Sequence, residues 1–232
     1  MAERSTSHLM GSDIEITKAA ISELKPSLPK SIGEASDGML PKVAWKFLVF
    51  REAAIWRFWE LSDSALKLIE LKNYTSSSVM IRSAFEMNAI LHYMCAKINV
   101  AISNDDPREL NQLAMQILMG SKVEDGSDRA VNIMTALEWL EKDVPKTTAF
   151  YANLSELAHP NWEGVAVPFS FGPMDQYNVN FGRDLETSER LRARAIRDLD
   201  TVLMHFEIPY NDFSKVLPAL DEFCTRHFER SA

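Results

Sequence analysis

Along most of the chain the apolar residues recur at i, i+3, i+4 and i+7, and glycine and proline fall mainly where that rhythm breaks. The pattern predicts helices over residues 13–25, 42–72 and 77–102. A fourth opens with Asp106 as cap and Pro107 in the first turn and ends at Gly120. A fifth, capped by Ser127 or Asp128, runs to about residue 143, and a sixth runs from Pro145 to His159. Helix returns over 186–206, Pro209 interrupts it, and 211–229 follows with Pro218 as a kink. One stretch differs. Val165, Val167, Phe169 and Phe171 alternate, Gly172-Pro173 intervenes, and Tyr177, Val179 and Phe181 alternate again, which predicts an extended flap or short β-hairpin near 161–185. The expected architecture is all-α: a bundle of about seven or eight helices with that one excursion. Residues 13–232 should form a single helical domain, after a disordered tail over 1–12.

Two helices carry residues in unexpected places. The 42–72 helix spreads Trp45, Phe47, Phe50, Trp56, Phe58 and Trp59 around its whole circumference, as a central helix or one in a homodimer contact would. The 77–102 helix is apolar apart from one stripe. At ~100° per residue, Glu86 falls ~40° and Tyr93 ~20° from Arg82. A charge buried in such a helix needs a partner, because breaking a buried pair costs on the order of 3–5 kcal/mol. Arg82 and Glu86 either neutralise each other or line a polar cavity.

A second polar set lies in YANLSELAHPNWEG, residues 151–164. Tyr151, Ser155 and His159 follow at four-residue steps on the last turns of a helix, and Pro160 ends it. The expected site gathers Arg82, Glu86, Tyr93, Tyr151, Ser155 and His159. Trp162 serves as an aromatic wall or as core, and Arg192 points in from the apolar arc of the 186–206 helix.

The pair of stretches RSAFEMNAILHYM and YANLSELAHPNWEG resembles a family of uncharacterised bacterial HEPN-like helical proteins. That family carries an Arg-Ser-x-x-Glu helix and a later Tyr-x-x-x-Ser-Glu-x-x-His-Pro motif. Arg82, Ser83 and Glu86 match the first; Tyr151, Ser155, Glu156, His159 and Pro160 match the second. The resemblance implies a helical fold and binding of a nucleotide, RNA or a partner protein in a stress or phage-defence setting. Catalytic HEPN ribonucleases carry an Arg roughly four to six intervening residues ahead of a His. None of His8, His92, His159, His205 and His227 has one at that spacing, so ribonuclease chemistry of that kind is not expected.

Composition narrows the alternatives. A net charge of −8 disfavours strong non-specific DNA binding. The most apolar run, 43–59, is broken by Lys46, Arg51, Glu52 and Arg57, too many charges for a membrane span. Cys95 and Cys224 are the only cysteines and the N-terminal stretch lacks the apolar centre of a signal peptide, so a cytoplasmic compartment is expected. No Gly-rich phosphate loop and no G-x-S-x-G elbow is present, and no cofactor is expected. His92 lies ~280° from Arg82, away from Glu86, so these two and His159 are not expected to hold a metal. The alternative to a binding protein is a small-molecule hydrolase with His159 as base, Glu86 as its orienter and Arg82 as anion clamp.

Overall fold

The computed structural model describes residues 3–32, 40–123, 128–173 and 177–228, with side chains from residue 14 onward. It is all-α, with eight α-helices among the described residues and one two-stranded antiparallel sheet. The helices are α1 (Glu3–Leu24), α2 (Lys42–Glu70), α3 (Tyr74–Ser103), α4 (Leu110–Leu118), α5 (Ile133–Asp143), α6 (Thr147–Ala158), α7 (Val167–Phe169) and α8 (Leu185–His227). α1 begins ahead of the expected residue 13, and residues 1 and 2 of the expected tail lie outside the described residues.

Helix ends are set by local chemistry. α2 closes with Lys72 in the left-handed region (φ 61°), where Asn73 N–H reaches the Leu68 carbonyl and Lys72 N–H the Ile69 carbonyl. α3 closes in the same way at Asp105 (φ 51°), with Asp106 N–H bonded to the Ala101 carbonyl. Because the turn after α2 consumes only residues 71–73, α3 starts at Tyr74, three residues before the predicted start. Asp106 does not cap α4 as expected. Its carboxylate takes the Arg108 backbone N–H and guanidinium, and the helix begins at Leu110. Asn132, rather than Asp128, caps α5 by accepting from Met134 N–H at 2.9 Å, and Ser127 lies outside the described residues.

The chain divides into two compact units, each assembled from three segments, with α2, α3 and α8 contributing to both. The first comprises residues 1–27, 58–85 and 148–204. Its core is built from Phe58, Leu66, Ile69, Ile81, Phe85, Leu154, Leu157, Ile196 and Leu199. Phe85 meets Phe150 edge-on at 5.0 Å, and Thr17 donates to the Asp200 carboxylate at 2.5 Å. The second comprises residues 28–57, 86–147 and 205–232, with Phe47, Ile55, Leu91, Met94, Ile98, Leu137, Phe206, Phe213 and Phe223 inside. Here Arg51 ties α2 to α8. It lies 3.7 Å from the centre of the Tyr210 ring and donates to the Tyr210 carbonyl at 3.0 Å and to Ser214 Oγ at 2.8 Å. In α2, Phe47 and Phe58 are buried while Trp45 and Trp56 are exposed, so the aromatic ring of positions is not buried all round.

Two expectations fail in physically informative ways. α8 does not stop at Pro209 but runs unbroken through Pro209 and Pro218. Val165 and Val167 are not in a strand, since 162–166 forms a π-helical turn that runs into α7. The hairpin is confined to β1 (Ser170–Phe171) and β2 (Asn180–Phe181), with Ser170 opposite Phe181 and Phe171 opposite Asn180.

Candidate functional site

Six of the eight expected site residues lie in the first unit: Arg82, Tyr151, Ser155, His159, Trp162 and Arg192. Arg82 and Tyr151 form the nucleus. Arg82 Nε and Nη2 both donate to the Tyr151 hydroxyl, at 3.1 and 2.7 Å, and the guanidinium carbon sits 5.0 Å from the ring centre. Tyr151 is buried, so this pairing places its hydroxyl on a charged donor and spreads the Arg82 charge over an aromatic face. Ser155 is turned the other way. Its Oγ donates to the Tyr151 carbonyl at 2.9 Å, a bond back into its own helix.

His159 does not join them. It is exposed, and its imidazole has no hydrogen-bond or ion-pair partner among the described residues. The reason is helical drift. Each four-residue step turns ~40°, so two steps carry His159 ~80° around α6 from Tyr151, off the buried face. Arg192 is half-buried on α8. Burial and Glu189 push the Tyr74 hydroxyl above its ordinary value, with Arg192 and Arg183 pulling it back. Trp162 is exposed rather than core. The other two residues belong to the second unit. Glu86 is half-buried on α3, and Tyr93 packs edge-on against Trp139 at 5.9 Å.

The turn after α6 is built around its own backbone. Asn161 Oδ1 accepts from Gly164 N–H at 2.9 Å, and its Nδ2 donates to Glu156 Oε2 at 2.7 Å. A Cβ at Gly164 would stand 2.1 Å from the His159 carbonyl oxygen, so only glycine fits there. The segment HPNWEG is thus a close-packed helix stop.

The excursion beyond this turn is open to solvent. Along 162–185, Trp162, Val165, Phe169, Phe171, Tyr177, Phe181 and Leu185 all present apolar surface, with Tyr177 99% and Phe181 83% exposed. The excursion is held at its base. Arg183 donates to the Lys72 carbonyl and to Asn73 Oδ1, both at 2.9 Å, and Gly182 N–H bonds the Phe169 carbonyl. The sequence showed the alternation of these residues but not their exposure, because period-two apolar positions ordinarily mark a face turned inward. On α8, Arg194 and Arg197 both approach the buried Asp198, at 3.5 and 3.8 Å, and Arg194 also donates to the Asn153 carbonyl.

Among the described residues no group of three His, Cys, Asp or Glu side chains could hold a metal ion, and no helix is long and apolar enough to cross a membrane. No protein-family model, no curated protein and no solved structure matches the chain.

Proposed function

We propose that the chain is a HEPN-like binding protein, not an enzyme, and that its 162–185 excursion holds a partner protein. The observation that carries this reading is the row of exposed aromatics on an anchored two-stranded flap. Apolar residues scattered singly on a surface need no explanation, whereas several exposed aromatics on one short anchored segment, with Phe171 and Phe181 on opposite faces of its ladder, give a partner rings to grip on both sides. Its rim favours a protein over RNA. Glu163, Asp184, Glu186 and Glu189 outnumber Arg183 and Arg190, and Arg183 is engaged at the base of the flap. A phosphate backbone meets net repulsion on such a surface, while a protein groove with an apolar floor and a basic rim complements it.

The hydrolase reading has less support. Ser155 is bonded to a main-chain carbonyl, His159 is exposed with no ion-pair partner among the described residues, and Arg82 is engaged by Tyr151. The stress or phage-defence setting is what the HEPN-like resemblance implies for the partner. A photo-reactive phenylalanine analogue at position 181, activated in the cell that makes the protein, tests the reading. The expected product is one discrete heterologous protein adduct that disappears when Phe171→Asp is added. A ribonuclease-sensitive adduct, an adduct of two copies of this chain, or no adduct would overturn it.

A further inference from the structure

The second unit contains a cavity of about 280 Å³ that plays no part in the flap. One wall is a face of α3, with His92, Cys95, Ala96 and Asn99 at helical spacing; the other is a face of α8, with Pro209, Asp212 and Val216. Asp143, the last residue of α5, closes one end. The floor is apolar and inert as a nucleophile. Cys95 is buried, points its thiol at the Pro209 carbonyl, and has its pKa pushed up to about 12 by burial and by Asp212.

The polar groups around this floor favour positive charge. Asp143 takes His92 Nε2 at 2.8 Å on one carboxylate oxygen, which fixes its orientation, and its second oxygen has no partner among the described residues. Asp212 uses one oxygen for Lys215 at 2.7 Å. Asn99 adds an amide with no partner among the described residues. The negative end of the α5 dipole lies at Asp143, so carboxylate and helix terminus reinforce each other. Asp143, Asp212 and Lys215 set two carboxylates against one ammonium in the lining. The size lies just below the range of drug-sized pockets, which calls for a compact ligand.

We propose that this cavity binds a small organic cation, a primary amine on a short apolar chain, with its ammonium between Asp143 and Asp212 and its methylenes on Ala96, Pro209 and Val216. Two carboxylates without a third ligand do not make a metal site, whereas an ammonium has three donors to share between them and the Asn99 carbonyl.

Calorimetric titration of the full chain with 1,5-diaminopentane tests this, with the matched diacid, pentanedioic acid, as probe of the opposite charge. The diamine should bind saturably and more weakly at high salt, and the diacid should not bind. Asp143→Asn, at an exposed carboxylate whose loss leaves the fold intact by circular dichroism, should weaken the diamine about tenfold or more. Lys215→Gln frees Asp212 and should tighten it severalfold. Asp63→Asn, an acid of the first unit, should change nothing. Absence of diamine binding, binding of the diacid, an unchanged Asp143→Asn affinity, weakening by Lys215→Gln, or equal weakening by Asp63→Asn would each overturn the assignment.

Discussion

Residues 151–164 and 165–185 are neighbours in the chain and opposites in construction. In the first, Tyr151, Ser155, Asn161 and Gly164 are bonded or packed against nearby groups, several of them main chain, while His159 and Trp162 reach outward. In the second, ordinary apolar side chains stand in solvent. A conspicuous polar motif can be the means by which a helix is stopped and fastened, while the surface that meets a partner is written in residues that look like core. Polar groups inside a protein must be satisfied whatever the function, so their presence is weak evidence of chemistry.

Substitutions can sharpen or break this contrast. The largest effect is expected at Gly164→Ala. The new methyl would overlap the His159 carbonyl, so the turn must open at a cost on the order of 2–3 kcal/mol in denaturant melts. Next comes the Arg82 and Tyr151 pairing. Arg82→Met should cost about 1–3 kcal/mol because it strips the buried hydroxyl of two charged donors. A double-mutant cycle with Tyr151→Phe should return a favourable coupling of about 1 kcal/mol. His159→Ala on the α6 side should stay within about 0.5 kcal/mol. A coupling near zero, or a large His159 effect, would reverse the assignment of which residue is structural.

A smaller effect concerns Asp198. Burial raises its pKa against the opposing pull of Arg194 and Arg197. An acid whose folded value is raised favours the folded state while protonated, and that contribution is lost as pH rises through the folded value. Asp198→Asn, neutral at every pH, should therefore be modestly more stable than the parent at pH 7. The difference should close below about pH 4, where the parent is protonated in both states. An Asp198→Asn variant that instead falls below the parent in stability as pH rises across that interval would show that the arginine pairing, not burial, dominates.

Much of the fold is legible because apolar periodicity reports directly on which faces are buried. The all-α, hairpin-bearing architecture follows from that periodicity and from the Gly172-Pro173 break. The continuity of α8 is legible too once phase is weighed above proline. Leu199, Phe206, Phe213 and Leu220 are all buried at sevenfold spacing, so one stripe continues across Pro209 without a shift. A proline removes one helical hydrogen bond, and a face that stays in phase outweighs that loss. In the candidate site, the meeting of Arg82 and Tyr151 is legible only as shared membership of one polar cluster, because a charge on a mostly apolar helix demands partners. The place of His159 is not, because four-residue spacing keeps one face for a single step and drifts off it over two. The exposure of Tyr177 and Phe181 cannot be read from pattern, since alternation says that two faces differ, not which one water covers.

The central claim is that the aromatics of the flap serve a partner and not the fold, and thermal melting of the Tyr177→Ser/Phe181→Ser double variant tests it most directly. Surface changes of this kind stay within about 0.5 kcal/mol, so the midpoint should lie within roughly 1–2 °C of the parent. A fall of about 8 °C or more would mean that these rings are packed into the protein, and the flap would then be a structural element and not a binding surface.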